Sequence, residues 1–243
     1  MNADVRRLIG VRTSWLTMAL SALAIAALAA VAVPDLQKAR DQQNLSALDG
    51  MIVQLKSAAE TDSKSPEAQY RLALAYSYAA EVAMELHDKK RSESYAEAGI
   101  GPARKAVDWN GGNAEYHRLL GEICGQVIPA SPLMGTLKYG PCAKDEIDKA
   151  IQLDSKLALA YVSRGVGNYY LPSSMGGGVE LALKDFDKAI ELDPNLTDAY
   201  VWKAVTLRKA NRDAEARQAF QKALQLDPNR IWAKEQLAKT PAR

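Results

Sequence analysis

Apolar residues recur at helical spacing along most of the chain. Leu45, Leu48, Ile52, Leu55 and Ala59 advance by threes and fours, which places them on one face of a helix. Similar helical runs follow at Ala68 to Tyr76, after Asn113, at Ala160 to Val166 and at Ala199 to Val205. Leu192-Asp193-Pro194-Asn195 returns as Leu226-Asp227-Pro228-Asn229, so the two prolines stand 34 residues apart. Between the copies, small residues at Ala204, Ala216 and Ala223 are combined with bulky ones at Tyr200, Leu207 and Phe220. That combination predicts two antiparallel helices whose backbones approach at the small positions while the large side chains fill the seam.

The unit is repeated within the chain. Ala160-Tyr161-Val162-Ser163-Arg164-Gly165-Val166 matches Ala199 to Val205 closely, and Asp187 to Asp193 echoes Asp148 to Asp154. The latter spacing is 39, and the excess falls in Leu171 to Gly178. This unit resembles a tetratricopeptide (TPR) repeat, with Ala204, Ala216, Phe220, Ala223 and Pro228 in signature places, and the resemblance extends over about residues 51 to 240. It implies an all-α solenoid of about four TPR-like helix pairs, with a half-repeat around Met51, Leu55 and Ala58 and a cap helix over Ile231 to Ala238. In the first full unit Ala68 to Tyr76 is the first helix and Gly99 to Val107 falls in the second, both extended toward a turn at His87-Asp88-Lys89-Lys90. The next unit has His117, Leu120 and Gly121 in signature places and a second helix from Cys142 to Leu153. Ile128 to Gly135 lies between them as an insertion too proline-rich to be helical throughout.

The first 33 residues have another character. Residues 13 to 34 carry no charge, and Arg6, Arg7 and Arg12 precede them. This is the pattern of an export signal whose arginines stay on the cytoplasmic side. Ala27-Leu28-Ala29 and Ala30-Val31-Ala32 offer small-x-small cleavage sites, while about 20 apolar residues also suffice to span a bilayer. Residues 1-33 are therefore read as a signal peptide or transmembrane anchor, 34-50 as a juxtamembrane helical linker and 51-243 as the solenoid. No cysteine follows the apolar run, which excludes a lipoprotein anchor. The expected setting is a bacterial periplasm, or the inner membrane with the solenoid outside the cytoplasm.

Composition narrows the function. The chain is 48% hydrophobic and 25% charged, enough for a sizeable core. Beyond residue 33 basic and acidic residues balance at 28 each, and a neutral body argues against nucleic acid as the partner, because phosphate binding depends on clustered lysines and arginines. Gly176-Gly177-Gly178 follows a helix rather than a strand and lacks a Lys-Ser/Thr pair, so it reads as a flexible break rather than a phosphate cradle. His87, His117, Cys124 and Cys142 match no metal-ligand spacing, and no serine or cysteine has a recognisable catalytic partner. No enzyme, cofactor or metal is expected. The carboxylates are read as solvent-facing partners of nearby lysines and arginines. In the repeat register Cys124 ends one helix and Cys142 begins its antiparallel partner, which in an exported chain points to a disulfide, the alternative being two buried free thiols.

The TPR resemblance also implies a concave face built by the first helix of each pair. Its fifth and ninth repeat positions are Tyr70 and Leu74, Arg118 and Glu122, Val162 and Val166, Val201 and Val205, with Tyr169 and Arg208 a turn further on. Six of the eight are apolar or aromatic, so the expected partner is a protein segment presenting an apolar helix face, the alternative being that the insertions or residues 34 to 50 fold over this face and hide it. The role implied is a scaffold for protein interaction, in envelope assembly or maturation. A small-molecule or lipid carrier tied to solute transport, and a self-associating structural subunit, are the alternatives.

Overall fold

The computed structural model describes residues 31–130 and 132–242; the predicted signal or anchor segment, apart from its last three residues, lies outside them. The described residues form eleven α-helices and two short 3-10 turns. The α-helices are α1 (Val33–Asp41), α2 (Leu45–Thr61), α3 (Pro66–Glu85), α4 (Lys89–Trp109), α5 (Ala114–Val127), α6 (Pro132–Leu153), α7 (Ala158–Tyr170), α8 (Val179–Leu192), α9 (Thr197–Lys209), α10 (Asp213–Leu226) and α11 (Ile231–Ala238). None of them is long and apolar enough to cross a membrane.

Local chemistry sets the boundaries. Asn44, Ser65, Asp88 and Asn113 each accept a backbone N–H of the following turn and so satisfy donors that a helix start leaves open. At the turns between units Asp154, Asp193 and Asp227 accept the N–H two residues on, at 2.9, 2.9 and 2.8 Å. The recurring aspartate therefore folds the chain back through the same side-chain turn in each unit.

The pairs are α3/α4, α5/α6, α7/α8 and α9/α10, with α2 stacked before them and α11 on α10. Ala204, Ala216, Ala223 and Phe220 are fully buried at the α9/α10 seam. At the α7/α8 seam a Cβ on Gly165 would stand 2.6 Å from the Phe186 ring, and at α5/α6 one on Gly121 would stand 2.7 Å from Ile147. The small residue of each first helix is thus the point where its partner crosses.

Three regions differ from the sequence expectation. Residues 34–50 are not a linker: Leu36 and Leu48 have no exposed surface and belong to a core cluster that runs through α6. The insertion before Cys142 is largely helix, because α6 begins at Pro132 and continues through Pro141. Pro141 leaves the carbonyl of Leu137 without its helical donor, as Pro102 does for Ala98 in α4, and both Leu137 and Ala98 are exposed residues, a setting in which a lost backbone bond costs least. Gly176 to Gly178 form a defined turn rather than a flexible break. Gly176 and Gly178 have φ of +83° and +113°, and a Cβ on Gly177 would lie 2.4 Å from Leu171. Cys124 and Cys142 are bonded to each other, with Cα atoms 6.0 Å apart, and tie α5 to α6.

Candidate functional site on the inner face

The first helices of the pairs, α3, α5, α7 and α9, pack in succession and make one face of the stack. It has a polar end and an aromatic end. On α5 the buried Arg118 guanidinium donates to both oxygens of Glu115 at 2.6 and 2.7 Å, to Glu122, and to Ser163 Oγ of α7 at 3.2 Å. Tyr70 OH of α3 donates to Glu115 at 3.0 Å and Ser77 Oγ to Glu122 at 3.1 Å. Burial, with the Glu115 carboxylate beside it, pushes the Tyr70 hydroxyl far above the usual phenol range. A strip read as part of an apolar groove is here a satisfied polar lattice joining three helices.

The apolar groove itself requires correction. Val162, Val201 and Val205 are buried, as is Leu74, and only Val166 of the valines is partly exposed. Tyr169 and Trp202 pack on both valine clusters, and Trp232 at the start of α11 packs on the cluster that contains Val201 and Val205. The Trp202 and Trp232 rings are 5.2 Å apart, Tyr169 meets Trp202 edge-on at 5.9 Å, and Tyr170 extends the group toward solvent at 55% exposure. Lys209 lies 4.2 Å from the Tyr169 ring, and Arg208 donates to Gln236 of α11 at 2.6 Å. The valines are the floor of the site and the aromatic rings its surface.

A second correction concerns the carboxylates, several of which are not on solvent-facing positions. Arg40 of α1 donates to Asp41 at 2.7 Å and to Asp198 of α9 at 2.7 Å, with the Tyr78 ring under its guanidinium at 4.9 Å. Arg230, fully buried before α11, donates to Glu81 at 2.6 Å and to Glu85 at 2.5 Å, both on α3. Its Nε reaches no hydrogen-bond acceptor and stands 3.7 Å from Asp41 and 3.8 Å from Asp198. Burial pushes the Glu81 carboxyl up to about 8 even though Arg40 and Arg230 pull the other way. Asp198 is partly buried, but those arginines outweigh the desolvation and hold it below the ordinary aspartate value.

Sequence reading did not find Arg40, Asp41, Glu81, Glu85, Asp198, Arg230, Trp202 or Trp232. One signal was present. Leu157 and Leu196 end their inter-unit turns three residues after Asp154 and Asp193, and at the same place after Asp227 stands Arg230. An arginine in a repeated leucine position marks a buried charge with a partner elsewhere. His117, the histidine of the signature stretch, is buried against Glu146 at 2.5 Å and the Gly111 carbonyl at 3.0 Å.

Antiparallel helix pairs with a small residue at each crossing and a 34-residue repeat define a tetratricopeptide-repeat protein, and the tetratricopeptide repeat model matches residues 197–230. The family model described as regulator of microtubule dynamics protein 1-3 matches residues 35–175, more than half of the chain, and the chain belongs to that family. A curated relative, regulator of microtubule dynamics protein 3 of Bos taurus, is 32% identical over 96 residues, which are 40% of this chain and 20% of that protein. The chain thus matches about a fifth of that relative's length. Among solved structures, the thermophilic TPR protein TTC0263 of Thermus thermophilus is similar at TM-score 0.60 and 16% identity, covering 80% of this chain and 91% of that one. MamA is similar at TM-score 0.41 and 22% identity, covering 80% and 92%. The TTC0263 likeness concerns the fold.

Proposed function

We propose that this chain is a scaffold that docks a partner protein on its inner face, with an apolar segment of the partner lying over Tyr169, Tyr170, Trp202 and Trp232. The observation that carries this reading is the aromatic cluster itself: rings from α7, α9 and α11 converge on one face, with Tyr170 left open to solvent. Stiff amphipathic rings offer contact area at low entropic cost, and Lys209 and Arg208 beside them orient a polar group of the partner. TPR stacks as a class bind proteins or peptides, which supports the general role.

The uncharged segment at residues 13 to 34, after Arg6, Arg7 and Arg12, places this scaffold outside the cytoplasm in our reading, tethered to a bacterial inner membrane or released into the periplasm. Envelope assembly or maturation is the process that suits such a scaffold. The microtubule role in the relative's name belongs to a protein four fifths of which lies outside the match, and the body beyond residue 33 carries no net positive charge with which to attract an acidic filament.

A photo-crosslinking residue at Tyr170, compared with one at Lys222 on α10, tests the docking site in the native envelope. The expected result is a discrete adduct from position 170 that is lost in a Trp232→Ala chain of unchanged helicity. Equal labelling from both positions would refute the site.

A further inference from the structure

The two ends of the stack are joined across the inner face by charge. Among the described residues, every hydrogen bond and ion pair between α1–α3 and α9–α11, including the turn before α11, is made by Arg40 or Arg230. The apolar clusters do not cross this seam: the large one runs from α1 to α6, and the others lie between α7 and α11. A cleft of about 290 Å³ lies between Pro34, Gln37 and Lys38 on one side and Thr197, Leu226 and Asn229 on the other, with Asp41 of the contact in its lining.

We infer that this contact is a clasp between the chain's two ends, closed at mildly acidic pH and opening as the solution becomes alkaline, and that it regulates the aromatic docking site by fixing α11. The regulatory half rests on the docking site proposed above. Arg230 immediately precedes α11, and its guanidinium lies 5.6 Å from the Trp232 ring, so release of Arg230 from α3 frees the residue that closes the aromatic cluster.

Charge balance gives the direction. The groups at the seam are Arg40 and Asp41 of α1, Tyr78, Glu81 and Glu85 of α3, Asp198 of α9 and Arg230, with Gln43 donating to Glu85 at 3.1 Å and Arg118 of α5 acting on Asp198 from further off. Two guanidinium groups face four carboxylates, so with all ionised the closed seam is overloaded with negative charge. The closed form relieves this by keeping a proton. Burial raises Glu81 from 4.5 to about 8 and raises Asp41 as well, so closure binds protons that the open, hydrated form releases. For Glu81 the favourable contribution is complete below the ordinary value near 4.5, falls as pH rises and is lost by about 8, and Asp41 works in the same sense. Asp198, lowered by the arginines, works in the opposite sense, and its contribution is lost only as pH falls below the ordinary 3.8.

The test is a spin-label distance between Lys38 and Asn229, two exposed positions beside the cleft, measured in the full chain with labels that do not use cysteine. At about pH 6 the short distance is expected to dominate, and between about pH 6 and about pH 8 a longer one grows in, the closed-to-open ratio falling up to tenfold per pH unit for one released proton and levelling off above about pH 8. Glu81→Gln, which is nearly isosteric and does not ionise, is expected to keep the short distance at about pH 9.5. A wild-type distance unchanged over this range overturns the clasp, as does a Glu81→Gln chain that opens like wild type, or an opening that coincides with loss of helicity. The distance is read without partner, so failure of the docking site leaves this result standing. A Tyr170 adduct independent of pH while the distance changes would overturn the regulatory half alone.

Discussion

Arg118 and Arg230 are both buried guanidiniums that hold two carboxylates, yet they are placed in opposite ways. The carboxylates of Arg118 stand three residues before it and four after it on the same helix. Those of Arg230 lie on α3, 149 and 145 residues away in sequence. The first set is pre-arranged as soon as α5 forms, and it then fixes the neighbouring first helices through Ser163, Tyr70 and Ser77. The second meets only when the entire stack has folded. A local set serves the core of the stack, whereas a long-range set serves its closure, and the two are expected to fail differently.

The largest effect is predicted at Arg118. Arg118→Ala leaves Glu115 and Glu122 facing each other across a largely buried site while Ser163 loses its donor, and breaking such a pair costs about 3–5 kcal/mol. Because the helices that Arg118 joins cannot separate without unfolding, the loss should appear as a lower midpoint of cooperative thermal unfolding followed by circular dichroism. An unchanged midpoint would mean that the polar lattice is incidental to stability.

The same contrast explains what the sequence reveals. Helix pairs are legible because Ala73, Gly121, Gly165 and Ala204 recur where backbones must touch, and a small residue at a crossing is a local requirement. Glu115 and Glu122 are legible as partners of Arg118 from spacing alone. The clasp is not, because no rule of spacing joins Arg40 to Asp198 across 158 residues. The aromatic cover over the Val201 and Val205 cluster escapes for a related reason: Trp232 belongs to the following unit, and the path of the superhelix decides whether it packs back on that cluster. The helical course of α6 through Pro141 depends on the exposure of residue 137, a tertiary fact.

A smaller effect is predicted at Arg230. Arg230→Ala removes a cation from a seam that already has surplus negative charge, but α1 and α11 can part and let water reach Glu81 and Glu85. The global midpoint should therefore fall by the equivalent of only about 1 kcal/mol, well under the cost of breaking a pair that has no means of opening. Limited proteolysis near residues 227–230 should increase markedly at the same time. If Arg230→Ala instead unfolded the stack as Arg118→Ala does, the ends would be an integral part of one core and the distinction between core and closure would be lost.

The smallest effect is predicted at Lys144 and Asp148 on α6, which pair at 2.8 Å one helical turn apart. Like Arg118 with Glu122 they are a local i to i+4 pair, but their side chains are 75% and 44% exposed, whereas that of Arg118 is 4% exposed. Both ions are hydrated whether or not they touch, and salt screens what attraction remains, so Asp148→Asn should change stability by about 0.3–0.5 kcal/mol or less. This variant separates two explanations for the importance of Arg118. If locality in sequence set the energy, the α6 pair would approach the α5 set. If burial sets it, the α6 pair will be nearly silent and its remaining effect will vanish in high salt, while the cost of Arg118→Ala persists there. Denaturant unfolding of both variants at low and high salt distinguishes the two, and a loss above about 1 kcal/mol at Asp148 would reject the burial argument.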